Sequence, residues 1–332
     1  MTVLQVDDLS VTLHTPNGPL EVINRLSFSM ADGEKLGIVG ESGCGKSVAA
    51  LALMRLLPTD STVRGKVFLE GRDLLTLTEK EICQIRGNRI GMIFQEPMTA
   101  LNPVKQIGSQ ISESLYLHLD LNRKQRQDRV IELMNQVGLP VNRFPLDLYP
   151  HQLSGGQRQR VMIAMAIACN PGILIADEPT TALDVTVQEQ ILNLIQDLAD
   201  SLGMALILIS HDLGVIARTA QTVMVMYTGG IVEKGPTADV FQNMKHPYTY
   251  GLFSAIPHVG SSMVSGRKRL NSIPGQVPEL HLRPRGCPFA DRCLKAGSAC
   301  TKKAPGATTI SEDHQVWCYH PLTQKDKIGK IK

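Results

Sequence analysis

The chain has 332 residues, of which 43% are apolar and 20% are charged. This length corresponds to about two domains at about 150 residues each, and the composition excludes a disordered or fibrous protein. A formal charge of +3 is too small to indicate nucleic-acid binding, and no apolar run approaches the roughly 18 residues that span a bilayer. The N-terminus lacks a secretory signal pattern, so we expect a cytoplasmic protein. We interpret the lysines at the end of the chain as a solvated tail: Lys325, Lys327, Lys330 and Lys332.

The first 35 residues alternate apolar and polar side chains. Turn signals at Asn17-Gly18 and Asp32-Gly33 divide them into strands, so the pattern predicts an antiparallel β layer. Residues 67–69 would extend this layer.

Residues 40–47 read GESGCGKS and match the pattern GxxxxGK[ST]. In such a loop the backbone N–H groups surround phosphate oxygens, Lys46 reaches the β- and γ-phosphates, and Ser47 binds Mg²⁺. An apolar run precedes the loop and helix-forming residues follow it, so the helix N-terminus adds to the anion site. The alternative is a plain glycine turn before a helix. We expect the whole loop to contact nucleotide: Gly40, Glu41, Ser42, Gly43, Cys44, Gly45, Lys46 and Ser47.

Gln95 follows an apolar run at 89–94 that predicts a buried strand. Its side chain could contact Mg²⁺ or the attacking water. The alternative is a simple strand cap, which is the preferred interpretation if Gln95 is considered alone. Pro97 and Pro103 predict an irregular segment after it. From about 104 to 170 the apolar residues recur with helical spacing, which predicts a helical subdomain inserted at about 96–170.

Residues 153–157 read LSGGQ and lie immediately before a helical pattern at 158–168. A serine and two glycines at a helix N-terminus can form a second phosphate-binding end: Ser154, Gly155, Gly156 and Gln157. The alternative is an ordinary serine N-cap, which would be preferred if the pentapeptide stood alone.

Two later apolar runs end in polar side chains. Residues 173–176 end in Asp177 and Glu178, and residues 205–209 lead to His211. Ligands bind at the carboxyl ends of strands in open α/β sheets, so Asp177 can hold Mg²⁺ while Glu178 orients and deprotonates the attacking water. His211 could contact a γ-phosphate, although a lone histidine is more often structural. Residues 223–233 predict a closing β-hairpin.

Four of the seven cysteines lie near the end of the chain: Cys287, Cys293, Cys300 and Cys318. In a reducing compartment such a group more often binds metal than forms disulfides. The wide spacing disfavours zinc, whereas four thiolates can hold a [4Fe–4S] cluster. Zinc and buried free thiols remain as alternatives.

Taken in chain order, these segments and Ala182-Leu183-Asp184 resemble the ATP-binding subunits of ABC transporters over residues 1–235. The resemblance implies an α/β P-loop ATPase, with a RecA-like core, an antiparallel β layer and an inserted helical subdomain, followed by a small cysteine-containing C-terminal region. It implies ATP and Mg²⁺ as ligands. The implied catalytic set is Glu178, His211, Gln95 and Lys46, and the implied Mg²⁺ ligands are Ser47, Gln95 and Asp177. It also implies a head-to-tail dimer in which residues 154–157 contact ATP bound to the other subunit.

Residues 94–103, residues 246–249 and the tail from Ile273 onward resemble the dipeptide, oligopeptide and nickel import ATPases. This resemblance implies a homologous second ATPase, two membrane permease subunits and an extracytoplasmic binding protein, with the chain on the cytoplasmic face of the membrane. It divides the chain into a nucleotide-binding domain at 1–235 and an extension at 236–332. The extension resembles tails that carry a [4Fe–4S] cluster on the four cysteines.

The substrate stays open at this point, with peptides favoured over nickel, a metal chelate or a glutathione-like compound. A soluble ABC ATPase acting on ribosomes or DNA, or an iron or redox sensor, is less supported. Leu13 and His14 stand where the family carries an adenine-stacking aromatic residue. Cys44 replaces a commoner serine, and we expect its thiol to be open to alkylation that ATP prevents.

Overall fold

The computed structural model describes residues 1–181, 183–255, 273–324 and 326. Ala182 and the predicted solvated tail at Lys325, Lys327, Lys330 and Lys332 lie outside these residues. In the described part of the chain, no helix combines the length and the apolar character needed to cross a bilayer.

The described residues form two sheets. Their strands are β1 (Thr2–Thr15), β2 (Gly18–Ala31), β3 (Lys35–Val39), β4 (Thr62–Leu69), β5 (Arg72–Asp73), β6 (Ile90–Ile93), β7 (Ile173–Asp177), β8 (Ala205–Ile209), β9 (Thr222–Tyr227), β10 (Gly230–Pro236), β11 (Thr308–Ser311) and β12 (His314–Val316).

Helices cover the larger sheet and form the inserted subdomain. They are α1 (Lys46–Leu53), α2 (Glu79–Ile85), α3 (Pro97–Ala100), α4 (Ile107–His118), α5 (Arg123–Gln136), α6 (Gly155–Ala166), α7 (Val185–Leu202), α8 (Leu213–Thr219), α9 (Thr237–Gln242), α10 (Pro247–Ser254) and α11 (Ser298–Lys302).

The smaller sheet has the strand order β2-β1-β4-β5 and is antiparallel, as predicted from the alternation in the first 35 residues. The larger sheet has the order β11-β12-β10-β9-β3-β8-β7-β6. Its central strands run parallel, and β9 and β10 form the predicted antiparallel hairpin. The carboxyl ends of β3, β7 and β8 therefore meet at one edge.

Strands β7 and β8 are apolar without interruption because both of their faces are buried. On β7, Ile173 and Ile175 pack between the two sheets, while Leu174 and Ala176 pack against the helices on the other face. This two-sided burial fixes the register of β7, because a one-residue shift would move every side chain to the opposite core.

The helical subdomain comprises α3 to α6, with α4 packed against α5 and α6. One prediction about its start is wrong, because the segment after Gln95 contains the short helix α3 rather than irregular chain only. Pro97 is the first residue of this helix. Proline is tolerated at that position because its missing N–H would have no partner inside the helix.

The C-terminal extension joins the larger sheet, since β12 pairs with β10 and β11 pairs with β12. The carboxylate of Glu233 on β10 is fully buried and accepts hydrogen bonds from the backbone N–H of Lys245 (2.6 Å) and His246 (2.9 Å). His314 Nε2 lies 2.8 Å from the same carboxylate. Burial lowers the pKa of His246 to about 4, so its neutral ring accepts a hydrogen bond from the N–H of Tyr248 at 3.0 Å.

Candidate functional site

The predicted phosphate-binding loop connects β3 to α1 at the edge where the parallel strands end. Gly43 (φ 78°) and Gly45 (φ 99°) lie in the left-handed region that glycine adopts without strain. At Gly40 a Cβ would come within 2.3 Å of the Met226 carbonyl oxygen, so the loop packs directly against β9. The first helical residue after the loop is Lys46, and the N–H groups of α1 therefore face the loop.

Lys46 is buried at the mouth of the loop. Its Nζ donates hydrogen bonds to the carbonyl oxygens of Gly40 (2.9 Å) and Glu41 (3.2 Å) and lies 4.0 Å from Glu178 Oε1. The ammonium group is thus held between the loop and the end of β7, where it can reach the terminal phosphates of a bound nucleotide.

Cys44 is the position where the accessibility prediction is wrong. Its side chain is 0% exposed, packed against Gly40, and its carbonyl oxygen accepts a hydrogen bond from the N–H of Gly229 at 2.8 Å. Burial raises the pKa of the Cys44 thiol. A buried, protonated thiol is a poor nucleophile, so we no longer expect alkylation here in the folded chain.

Ser47 and Asp177, two of the three predicted Mg²⁺ ligands, lie in contact with each other. Ser47 Oγ donates a hydrogen bond of 3.0 Å to Asp177 Oδ1. Asp177 is only 4% exposed, and burial raises the pKa of its carboxyl. A buried carboxylate next to a serine hydroxyl fits Mg²⁺, which is bound through one or two carboxylates together with substrate phosphates and would supply the opposing charge.

Glu178 lies at the centre of the polar cluster. His211 Nδ1 is 3.2 Å from Glu178 Oε2, and the same oxygen accepts hydrogen bonds from Gln95 Nε2 (3.5 Å) and Thr181 Oγ1 (3.2 Å). The backbone of Glu178 has a φ of 43°, and its N–H donates to the carbonyl of Ile209. The structure therefore brings together all four predicted catalytic side chains, since Lys46 completes the set. Thr181 was not predicted, because a threonine in a loop carries no local signal of its own.

The LSGGQ segment caps α6. Ser154 Oγ accepts a hydrogen bond from the N–H of Gln157 (3.3 Å), and Gln157 Oε1 accepts one from the N–H of Ser154 (2.8 Å). Ser154 and Gly155 are exposed. Within the described ranges, no hydrogen bond or ion pair joins residues 154–157 to the loop at 40–47 of the same chain.

The thiols of the four C-terminal cysteines lie close enough to interact electrostatically. The N–H of Cys287 donates to the carbonyl of Cys300 at 2.7 Å. Burial, together with the nearby thiols, raises the pKa of both Cys287 and Cys318 to about 11. Among the residues that the structure describes, however, no three His, Cys, Asp or Glu side chains are grouped so as to hold a metal ion. The structure thus gives no support to the predicted [4Fe–4S] cluster or to the zinc alternative.

One contact of the loop was not predicted at all. The guanidinium group of Arg292, in the extension, binds both carboxylate oxygens of Glu41 at 2.7 and 3.1 Å. The N–H of Glu41 donates to Tyr248 Oη at 2.9 Å. Glu41 is more than 200 positions from either partner in the chain. Tyr248 and Arg292 lie in segments that resemble the import ATPases, but nothing in those segments indicates a contact with the loop.

Comparison with known proteins agrees with this geometry. The sequence profile of the family described as ABC transporter matches residues 23–181, and that described as the oligopeptide/dipeptide transporter C-terminal region matches residues 232–300. The dipeptide transport ATP-binding protein DppD of Escherichia coli is 46% identical over 323 residues, which cover 97% of this chain and 98% of that protein. The chain belongs to the ABC transporter family. As such it is an ATP-binding subunit that hydrolyses ATP.

Other members of the ABC family extend the comparison. The oligopeptide transport ATP-binding protein OppD of Bacillus subtilis is 45% identical over 97% of this chain and 90% of its own length. A solved ATP-binding cassette, in a dimeric post-hydrolysis state bound to ADP and phosphate, superimposes with a TM-score of 0.63 and 26% identity. That match covers 98% of the cassette but 70% of this chain. The predicted ABC fold is confirmed, and part of this ABC subunit lies outside the compared cassette.

Proposed function

We propose that this ABC subunit couples the hydrolysis of MgATP to the import of dipeptides or oligopeptides. The observation that carries the proposal is the agreement of two matches. The extension matches the C-terminal region described for oligopeptide and dipeptide transporters, and relatives named for dipeptide and oligopeptide transport align over 97% of the chain. Nickel, a metal chelate or a glutathione-like compound is a less supported cargo, since neither relative is named for one.

In the proposed mechanism, the loop at 40–47 holds the phosphates and Lys46 neutralises charge that develops on the γ-phosphate. Ser47, Asp177 and Gln95 would hold Mg²⁺, which would supply positive charge against the phosphates. Glu178 accepts a proton from water while the water oxygen bonds to the γ-phosphorus and the bond to the leaving ADP oxygen breaks. His211 Nδ1 lies 3.2 Å from the Glu178 carboxylate, and the same side chain would contact the γ-phosphate.

The exposed LSGGQ segment supports a composite site between two subunits. Ser154, Gly155, Gly156 and Gln157 lie at an exposed helix N-terminus, which attracts anions through its N–H groups and its dipole. We propose that these residues bind the phosphates of ATP held by a second, homologous ATPase in a head-to-tail heterodimer. Each subunit would then supply half of each nucleotide site.

A groove beside Gln95 supports docking to permease subunits. It has a volume of about 440 Å³ and lies between the core and the helical subdomain. Phe94, Leu117 and Leu56 line it and are 38%, 61% and 39% exposed, and a group of exposed apolar side chains marks an interaction site more often than a single one does. We propose that it receives a cytoplasmic helix of one of the two permease subunits, which together hold the chain at the cytoplasmic face of the membrane. An extracytoplasmic binding protein would deliver the cargo.

Reconstitution tests the importer. The chain is expected to purify from native membranes with a second ABC ATPase and two hydrophobic proteins, and ATP hydrolysis by this complex in proteoliposomes should rise when peptide-loaded binding protein is added. Binding protein without peptide is the control. Stimulation by a nickel-loaded or chelate-loaded binding protein alone would reassign the cargo, and purification without any membrane partner would contradict the importer.

We also propose that Cys287, Cys293, Cys300 and Cys318 hold a [4Fe–4S] cluster. The thiol of Cys318 lies close enough to the three other thiols to interact with them electrostatically, and four cysteine thiolates are the usual ligands of a [4Fe–4S] cluster. Such a cluster would tie the extension together as a structural element.

Anaerobic purification tests the cluster. The wild-type chain is expected to be coloured and to contain about four irons, and Cys300→Ser should lose both the colour and the iron because a ligand is missing. Cys83→Ser is the matched control, since Cys83 is an exposed cysteine on α2. A colourless wild-type chain that contains zinc, or neither metal, would contradict the proposal.

A further inference from the structure

Every polar atom of Glu41 is engaged, although this residue lies inside the phosphate-binding loop. Its carbonyl oxygen accepts hydrogen bonds from Lys46 Nζ (3.2 Å) and the N–H of Cys44 (3.3 Å). Its N–H donates to Tyr248, and its two carboxylate oxygens accept from Arg292. The extension therefore binds the loop through both the backbone and the side chain of one residue.

Arg292 is itself fixed from several sides. Its side chain is 6% exposed, against 26% for Glu41. Nε donates to the carbonyl of Pro274 at 3.0 Å, and Nη1 donates to Tyr227 Oη at 3.3 Å. The guanidinium group also lies 5.8 Å from the centres of the Tyr227 and Phe289 rings, within the range of a cation–π contact.

The aromatic residues around Arg292 connect the extension to the core. Tyr227 lies on β9, Tyr248 on α10 and Phe289 in the segment between Cys287 and Cys293. The ring centres of Tyr227 and Tyr248 are 4.6 Å apart, and Phe289 lies 5.4 Å from each. Arg292 therefore cannot swing away from Glu41 without disturbing this packed cluster.

The charge of Glu41 explains why such a partner matters. A carboxylate in a loop that receives a triphosphate would repel it, and this repulsion is strong where the site is partly shielded from water. A bidentate pair with arginine cancels the charge and fixes the direction of the carboxylate. We propose that Arg292 is a positioning residue for ATP, supplied by the C-terminal extension, which neutralises Glu41 and keeps its carboxylate away from the phosphates. This inference concerns nucleotide binding by the chain itself and does not depend on the cargo or on the cluster.

Binding measurements on the purified full-length chain test the inference. Titration calorimetry with Mg²⁺ and a non-hydrolysable ATP analogue should show that Arg292→Ala raises the Kd about tenfold, since an unscreened carboxylate then faces the phosphates. The effect on MgADP should be smaller, about threefold, because ADP carries less charge. Arg292→Lys should stay within about threefold of wild type, since it keeps the charge but loses the fork.

The double variant Glu41→Gln, Arg292→Ala separates charge screening from simple docking of the extension. It lacks both the carboxylate and the arginine, so its affinity for the ATP analogue should return to within about threefold of wild type. In an assembled transporter, Arg292→Ala should raise KM for ATP more than it lowers kcat. If the double variant binds as weakly as Arg292→Ala, or if Arg292→Ala binds like wild type, the inference is overturned.

The matched control is Arg283→Ala. Arg283 also belongs to the extension and also binds a core glutamate, with Nη1 3.1 Å from Glu21 Oε2, but Glu21 lies on β2 outside the loop. Its replacement should change the Kd by less than about twofold, although it also loosens the extension. Melting temperatures identify variants that fail to fold. If Arg292→Ala fails to fold, Arg292→Gln replaces it, because glutamine is neutral but still donates hydrogen bonds. An Arg292→Gln chain that folds and binds the ATP analogue like wild type would equally overturn the inference.

Discussion

Replacing Glu178 by Gln is expected to lower steady-state ATP hydrolysis by at least about a hundredfold, the size of a general-base contribution. The amide cannot accept the proton of the attacking water. It keeps the shape of the side chain and the hydrogen-bonding distances to Gln95, His211 and Thr181. MgATP binding should survive, because the loop, Ser47 and Asp177 are unchanged. With hydrolysis blocked, the proposed nucleotide-bound dimer should persist.

Phosphate release in the assembled transporter measures the first effect, and size-exclusion chromatography with MgATP measures the second. Glu189→Gln is the matched control, because Glu189 is an exposed glutamate on α7 away from the cluster. Normal turnover by the Glu178 variant would show that another group accepts the proton, and His211 would be the next candidate.

Ser154→Asp is expected to abolish cooperation between subunits while leaving the fold intact. Aspartate is as good an N-cap as serine, so it can still accept the hydrogen bond from the N–H of Gln157 and preserve α6. It also places a negative charge where the proposed heterodimer presents phosphates. The isolated chain should bind MgATP as before, but hydrolysis by the assembled transporter should fall about a hundredfold, the effect of losing one preorganised donor for phosphate.

A second helix of the same subdomain offers the control for this variant. Asn122 caps α5 with the same reciprocal arrangement, since its side chain accepts from the N–H of Gln125. Asn122→Asp adds the same charge at an equivalent helix N-terminus, so hydrolysis should stay within about twofold of wild type. If both variants lose activity equally, the loss reflects helix stability or surface charge, and the proposed role of Ser154 in trans is wrong.

The sequence predicted those features that depend on neighbouring residues. The two-sided apolar runs of β7 and β8 and the glycines of the loop each have a local physical cause, and parallel strands that end together bring Lys46, Asp177, Glu178 and His211 to one edge. The members of the catalytic cluster could therefore be predicted from the sequence, although the individual hydrogen bonds between them could not.

Other features depend on residues distant in the chain. Cys44 looked accessible because loops are usually exposed, but β9 and the turn at Gly229 pack against this part of the loop. The pair between Glu41 and Arg292 joins positions 251 apart, and nothing in either local sequence indicates the other. The irregular segment predicted from the prolines after Gln95 was wrong, because Pro97 begins a helix.

The pairing of β12 with β10 determines how this protein can be shortened. A chain cut at the end of the cassette would leave β10 as an open sheet edge, which is a template for intermolecular strand pairing and aggregation. It would also strip His314 from the buried Glu233 carboxylate and leave that charge without its closest side-chain partner. The cassette and the extension therefore share one sheet and one buried carboxylate, and a cut between them would expose both.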